Sequence, residues 1–162
     1  MDRLWSPWRL AYVSGGEPKG CVFCDAQVNE QAEPLVVFGG TTCFVILNLY
    51  PYNNGHLMVV PRRHVASLAG ASGDELAELM GLTRASELAL TEVYHPQGLN
   101  VGMNLGRAAG AGVADHMHIH VVPRWVGDTN FMSVVGEARV IPEGLEKTAA
   151  RLKPIFEKIL AG

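Results

Sequence analysis

The sequence predicts an α+β domain built on an antiparallel sheet, and three observations lead there. Two apolar runs, residues 43–49 and 56–60, flank the turn-forming segment Pro51-Tyr52-Asn53-Asn54-Gly55. Such an arrangement reads as a hairpin with a longer loop. Ser72 followed by Glu75 forms a capping-box pattern ahead of a helical stripe. Residues 116–122 alternate polar and apolar side chains, as a half-buried strand does. Strands that adjoin one another, with helices between and after them, suggest an α+β layout.

Residues 1–20 read as irregular, because Pro7, Gly15, Gly16 and Pro18 limit regular structure. Residues 21–25 read as a turn or knuckle, and residues 34–38 as a short strand. The helix is expected from about residue 73 to Tyr94, on the stripe Leu76, Leu79, Met80, Thr83, Leu90 and Val93. Pro96 and Gly98 close it. Residues 99–105 form a further candidate strand, and residues 106–112 a Gly/Ala-rich loop. The strand at 116–122 is expected to stop at Pro123. A last helix is expected over residues 143–160, on Leu145, Leu152, Phe156 and Ile159, with Pro154 kinking or breaking it.

A length of 162 residues suits one domain with a substantial core. Within it, residues 1–20 read as an N-terminal extension, 21–125 as the core, and 126–162 as a C-terminal extension with its helix. Hydrophobic residues at 48% and charged residues at 18% describe an ordinary soluble chain. The net charge of -3 gives no general attraction to nucleic acid. It leaves room for a local basic cluster that holds small phosphates. The N-terminus lacks the apolar core of a secretory signal, and no apolar run approaches the roughly 20 residues of a membrane span. The expected compartment is the cytoplasm. There, Cys21-x-x-Cys24 reads as a metal half-site, a redox pair or two buried thiols sooner than as a structural disulfide.

The segment His116-Met117-His118-Ile119-His120 carries the chemistry. On a strand, residues two apart face one way, so the histidines share a face and Met117, Ile119 and Val121 share the other. A solvated polar stripe is the plainest reading. A metal site is a second, limited to one end of the trio. The outer histidines of a regular strand lie about 13 Å apart, too far for nitrogens bonded at about 2.1 Å to one ion. Nucleophilic catalysis is the third. A neutral imidazole attacks phosphorus and later departs, provided a hydrogen bond on the opposite ring nitrogen aims it. Flanking histidines can then protonate a leaving oxygen. The preceding loop lets the backbone of Gly110 and Gly112 approach a phosphate.

His-φ-His-φ-His-φ-φ, complete here as residues 116–122, is the signature of the histidine triad superfamily, which this chain resembles over roughly residues 20–125. Asn48 followed by His56 across the hairpin, then the helix and the Asn104 strand, come in the same order as in that family. The resemblance implies a five-stranded antiparallel sheet with two main helices, extended across a homodimer. It implies a nucleotide substrate and a nucleotidyl-histidine intermediate. His118 would be the nucleophile, His120 would contact the phosphate and the leaving oxygen, and His56 would buttress them. Asn48 would bind ribose, and Asn104 would lie near the phosphates. The stretches at residues 2–9 and 123–132 look like the bacterial branch containing diadenosine tetraphosphate phosphorylases, which use inorganic phosphate to give ADP and ATP. Many triad hydrolases carry Gln or Ser near the position of Gly112 or Val113, and this chain has neither.

Cys21, Cys24, His64 and His116 resemble the structural zinc site of some bacterial triad proteins and of galactose-1-phosphate uridylyltransferases. Zinc is therefore the expected metal, and no organic cofactor is expected. Arg107, in the glycine loop, is a candidate phosphate contact. Arg62 and Arg63 read equally as polyphosphate contacts or a solvated pair. Phe44, Ile46 and Leu49 are candidates for the base pocket. Trp125 would stack on a base or pack at an interface, and His95 reads as a surface residue. The alternatives to a phosphorylase are a dinucleoside polyphosphate hydrolase or nucleoside phosphoramidase, a nucleotide-sensing module, and a metal-dependent hydrolase.

Overall fold

The computed structural model describes residues 20–28, 35–128 and 143–161. Most of the expected N-terminal extension, the stretch at residues 2–9, Pro34 and residues 129–132 lie outside them. One helical turn, α1 (Val22–Asp25), is followed by β1 (Val36–Gly39), β2 (Cys43–Leu47) and β3 (Leu57–Pro61). Helix α2 (Gly73–Tyr94), β4 (Gly98–Gly102), β5 (Ile119–Arg124) and helix α3 (Leu145–Leu160) complete the order. The sheet has five strands in the order β1-β2-β3-β5-β4, every neighbouring pair antiparallel.

Strand alternation divides the sheet into two faces. Val45, Leu47, Leu57, Val59, Ile119 and Val121 pack against Leu79, Leu82 and Leu90 of α2 and Leu152 and Phe156 of α3. The intervening residues Phe44, Ile46, Met58 and Val60 form a second buried cluster with Phe23 and Ala26. The N-terminal knuckle therefore roofs the face opposite the helices. Both faces of β2 and β3 are buried, which suits their near-continuous apolar sequence.

Helix α2 begins where the capping box places it. Ser72 Oγ accepts from the Glu75 N–H at 3.2 Å, and Glu75 Oε2 accepts from the Ser72 N–H at 2.7 Å. Arg63 doubles the load on that carboxylate, with Nη2 at 2.7 Å. Glu78, one turn on, accepts from the backbone N–H groups of Thr41, Thr42 and Cys43. It thereby clamps the β1–β2 turn to the helix. Gly40 permits this, since a Cβ there would stand 2.5 Å from Glu78 Oε1. His95 ends α2 in the left-handed conformation, exposed as expected.

Several expectations need correction. The last strand begins at Ile119, not His116, and runs through Pro123 to Arg124. Pro61 has no N–H for a continued β3–β5 ladder and its carbonyl is taken by His116 Nε2 at 2.8 Å, and the Met117 N–H donates instead to the Val65 carbonyl at 2.7 Å. Pro123 is tolerated at the far end, opposite Leu99 of the edge strand β4. The β4 strand stops at Gly102, leaving Asn104 in the loop. Pro154 does not break α3, which is continuous over Leu145–Leu160. Pro154 and Ala150, whose carbonyl loses its donor, both lie on the exposed side. Arg62 and Arg63 are not simply solvated. Arg62 Nε donates to the Gly40 carbonyl at 2.9 Å, and Arg63 holds Glu75 and the Gly70 carbonyl.

Phe156 is fully buried and stacks on Phe38 with ring centroids 6.0 Å apart. Phe156→Ala is expected to lower stability by about 3–5 kcal/mol, read as a fall in the urea midpoint. An unchanged midpoint would contradict the helix packing described. Acid acts through the helix start. The Arg63 hydrogen bond, first, and then the Ser72 N–H hold the Glu75 carboxyl down at about 2, against its ordinary 4.5. A depressed carboxylate gives stability that is complete above about pH 4.5 and lost as pH falls toward 2. Glu75→Gln should therefore flatten the acid limb of stability in that window; an unaltered slope would mean the clamp is idle.

Candidate active site

His118 sits just before β5 and is 4% exposed. Its Nδ1 lies 2.9 Å from the backbone oxygen of His116. A carbonyl only accepts, so Nδ1 carries the proton and Nε2 is left with a bare lone pair. That Nε2 has no hydrogen-bond partner among the described residues. Burial lowers the pKa of His118, opposed in part by the carbonyl. The ring is therefore neutral near pH 7 with its free nitrogen available.

Its neighbours form a chain whose proton positions follow from the same logic. The Tyr52 backbone N–H, which only donates, meets His56 Nδ1 at 3.1 Å. His56 must then carry its proton on Nε2, and that nitrogen is 2.9 Å from His120 Nδ1. His120 accepts there, so its own proton sits on Nε2. Burial first, then proximity to His118, push the His120 pKa down to about 4. The rings of His118 and His120 are 4.8 Å apart. The result is a bare nitrogen on His118 beside an N–H on His120, a nucleophile paired with a proton donor.

Strand register explains the grouping. Met58 pairs with His120, and Ile46 pairs with Met58. Ile46, Asn48, His56, Met58 and His120 thus share one face. Asn48 leans toward the histidines, with Nδ2 3.4 Å from His56 Nδ1 and Oδ1 accepting from the Tyr50 N–H at 2.8 Å. One hydrogen of its amide and one lone pair of its oxygen lie outside those contacts. Phe44 and Ile46 are buried on this face beneath the knuckle, while Leu49 is exposed beyond the strand end.

His116 does not join the other two. Its Nε2 is 2.8 Å from the Pro61 carbonyl, which it must donate to, so Nδ1 is bare. That Nδ1 lies 3.2 Å from Cys21 Sγ and 3.7 Å from Cys24 Sγ, and His64 Nδ1 lies 3.4 Å from Cys24 Sγ. All of these ligand atoms fall within 4.8 Å of one another. A tetrahedral zinc site places sulfur and nitrogen ligands about 3.5 Å apart. The spacing and the two-Cys, two-His donor set fit that ion. Burial, then the Cys21 thiol, push the Cys24 pKa up; a dication would reverse that.

The glycine loop leaves the end of β4 and returns to His118, since Gly102 lies opposite His120. Gly106 and Gly110 take positive φ angles of 83° and 85°. Asn104 Nδ2 reaches the Gly110 carbonyl at 3.4 Å. Arg107, Gly110 and Gly112 are exposed, and no contact joins Arg107 to the histidines. Trp125 is half-buried after β5, its backbone N–H 3.0 Å from Asp128 Oδ2.

Two contributors escape a reading by motif. Phe23, inside the Cys-x-x-Cys segment, sets its ring 4.8 Å from that of His118 and 5.4 Å from that of His116. Tyr52 lies 4.6 Å from the His56 ring and 5.7 Å from that of His120. The available signals were a phenylalanine between paired cysteines and an aromatic among turn-forming residues.

Comparison with known proteins agrees with this geometry. Residues 29–126, more than half of the chain, match the HIT domain. A Mycobacterium tuberculosis protein named AP-4-A phosphorylase is 42% identical over 157 residues, covering 91% of this chain and 80% of that protein. A zinc-bound histidine triad family protein from Mycobacterium smegmatis superimposes with a TM-score of 0.70 at 28% identity, covering 88% of this chain and 96% of the other. A histidine triad nucleotide-binding protein from Sulfolobus tokodaii gives the same TM-score of 0.70, covering 86% and 93%. The chain belongs to the HIT domain family.

Proposed function

We propose that this protein is a nucleotidyl transferase that cleaves diadenosine tetraphosphate with inorganic phosphate, giving ATP and ADP. The observation that carries the reading is a His118 ring with a bare Nε2, 4.8 Å from a His120 ring protonated on Nε2. The 42% identity to a protein named AP-4-A phosphorylase selects the substrate class. His118 Nε2 attacks the phosphorus of one terminal adenylyl group. The P–O bond to the rest of the chain breaks, the His120 Nε2–H donates a hydrogen bond to the departing oxygen, and ATP leaves with the bonding electrons on that oxygen. An oxygen of phosphate then attacks the adenylyl phosphorus, the P–N bond breaks, and ADP departs with His118 restored.

Asn48 takes the ribose hydroxyls with its remaining amide hydrogen and lone pair. Leu49, with Ile46 and Phe44 beneath, supplies apolar surface for the base. The backbone at Gly110 and Gly112, with Asn104 and Arg107, holds the polyphosphate. Cys21, Cys24, His64 and His116 hold a structural zinc ion, supported by the donor spacing and by the zinc-bound relative. When bound, zinc supplies a cross-link between knuckle and sheet. The chain is read as a single cytoplasmic domain working as a homodimer, with the exposed edge strand β4 placed to continue the sheet. Among the described residues no helix is long and apolar enough to cross a membrane.

Product analysis tests the reaction. ATP plus ADP, formed only when phosphate is supplied, is expected from diadenosine tetraphosphate. ATP plus AMP with or without phosphate would make the protein a hydrolase instead. His118→Asn should reduce turnover by on the order of 10³-fold or more, and retained activity would remove His118 from the nucleophile's role. Elemental analysis is expected to find about one zinc per chain. Cys24→Ala should lose the metal and lower Tm; full zinc content in that variant would refute the ligand set.

A further inference from the structure

The residues that hold the Tyr52 backbone in place lie outside the histidine cluster. The β2–β3 turn carries Asn53, whose Nδ2 donates to the Pro123 carbonyl at 3.0 Å and to Asp128 Oδ2 at 2.7 Å. Asp128 also accepts from Arg124 Nε at 2.7 Å, from Arg124 Nη2 at 2.8 Å and from the Trp125 N–H at 3.0 Å. Its side chain is only 9% exposed, although it stands near a surface turn. Arg124 in turn reaches Asn100 Oδ1 on β4 at 2.7 Å. These bonds tie the β2–β3 turn to the two strands at the far edge of the sheet.

The turn is also packed and bonded locally: the Tyr52 ring lies against those of His56 and His120, and the Tyr50 N–H donates to Asn48 Oδ1 at 2.8 Å. Gly55 adopts φ +77° with Leu90, Tyr94 and Pro123 packed close around it. The His56 N–H returns to the Asn53 carbonyl at 3.2 Å. Asn53 therefore ties the loop to its surroundings: its side chain meets Asp128, and its backbone meets His56. Tyr52 immediately precedes it, and the Tyr52 N–H at 3.1 Å is the nearer of two donors at His56 Nδ1, the Asn48 amide at 3.4 Å being the other.

We propose that Asn53 and Asp128 are positioning residues that set the proton-donating tautomer of His120. The path runs through the turn. Asp128 holds Asn53, Asn53 holds the Tyr52 N–H against His56 Nδ1, His56 Nε2–H then donates to His120 Nδ1, and the His120 proton is confined to Nε2. Without the clamp the Tyr52 N–H drifts, His56 can place its proton on Nδ1, and His120 loses the donor that fixes its own ring. The nucleophile keeps its separate support, the His116 carbonyl. The clamp therefore governs the hydrogen bond to the leaving oxygen and not attack. This inference rests on the nucleotidyl-transfer reading for its kinetic consequence, while the tautomer assignment stands without it.

Two measurements test it on the full chain. In protein labelled with ¹⁵N in histidine, ring-nitrogen NMR should find His56 and His120 protonated on Nε2. Asn53→Ala and Asp128→Ala should each show a new Nδ1–H population at His56, with His118 unaltered. Unchanged tautomers in both folded variants would overturn the proposal, whatever the activity. Asn53→Ala removes one amide from a turn, so it keeps the test open if the Asp128 variant fails to fold. The second measurement follows cleavage of adenosine 5′-phosphate aryl esters, from 4-nitrophenyl to unsubstituted phenyl. Good leaving groups need no acid and poor ones do. Both variants should lose about tenfold or more on the phenyl ester and less than about twofold on the 4-nitrophenyl ester. Equal losses across the series would mean a merely structural role and would also overturn it. Failure of the wild type to cleave any ester, with the NMR shift present, would count against the proposed reaction and leave the clamp supported.

Discussion

A histidine that is to attack phosphorus must keep one ring nitrogen bare and the other occupied, and here backbone atoms meet that demand. The His116 carbonyl cannot donate and the Tyr52 N–H cannot accept, so neither can exchange roles with its imidazole. A side-chain partner such as a carboxylate could titrate or rotate away. The backbone arrangement depends on an interruption of the sheet. In a regular strand the carbonyls lie in the sheet plane while side chains project from it. His118 reaches the carbonyl two residues back because the chain has not yet entered the ladder at that point. Pro61, with no N–H to extend the pairing, is the residue that ends the ladder there.

The same interruption places His116 at a branch point. Its carbonyl accepts from His118, its Nε2 is held by Pro61, and its Nδ1 faces the cysteines. Phe23 lies against both His116 and His118, so the knuckle touches His118 by packing as well as through the candidate metal site. Local order in the knuckle is slight. Helix α1 spans only Val22–Asp25 and has no side-chain cap, and one turn is too short to be stable alone. Its position derives from Phe23 and Ala26 in the apolar cluster and from the Cys/His constellation. A cross-link there acts on a segment with little stability of its own, which is where a structural metal contributes most.

Much of this was legible in the chain. The capping box located the start of α2 because its two reciprocal bonds are encoded by two residues three apart. The histidine alternation and the hairpin were legible for the same reason: both are short-range patterns. The four candidate metal ligands were found by resemblance, and the geometry brings them together. What escaped was set by long-range pairing. Proline at Pro61 reads locally as a strand end, yet its effect is on a partner strand far along the chain. Pro154 reads as a helix breaker, yet it sits where the freed carbonyl faces solvent. Arg62 and Arg63 look available until the fold supplies Gly40, Gly70 and Glu75 as their partners. Asn53 and Asp128 belong to no shared local pattern, and only the return of β5 beside the hairpin makes them neighbours.

The commitment of those two arginines bears on how a site of this kind would treat a polyanion. Burial lowers the pKa of His118 and His120, and Arg62 and Arg63 are engaged in holding the fold. The net charge of the chain is -3. Among the described residues, the glycine loop and the histidines would offer a chain of phosphates oriented dipoles, namely backbone N–H groups and the N–H of His120, with Arg107 as a charge in the loop. Dipoles aimed at one position favour a geometry more than a charge, and they need no reorganisation when the bond breaks. A fixed cation beside His118 would also have stabilised the ground state of any phosphate that arrived. A neutral nucleophile inside a polar cradle holds substrate less tightly, and so keeps more of its interaction for the atoms that move.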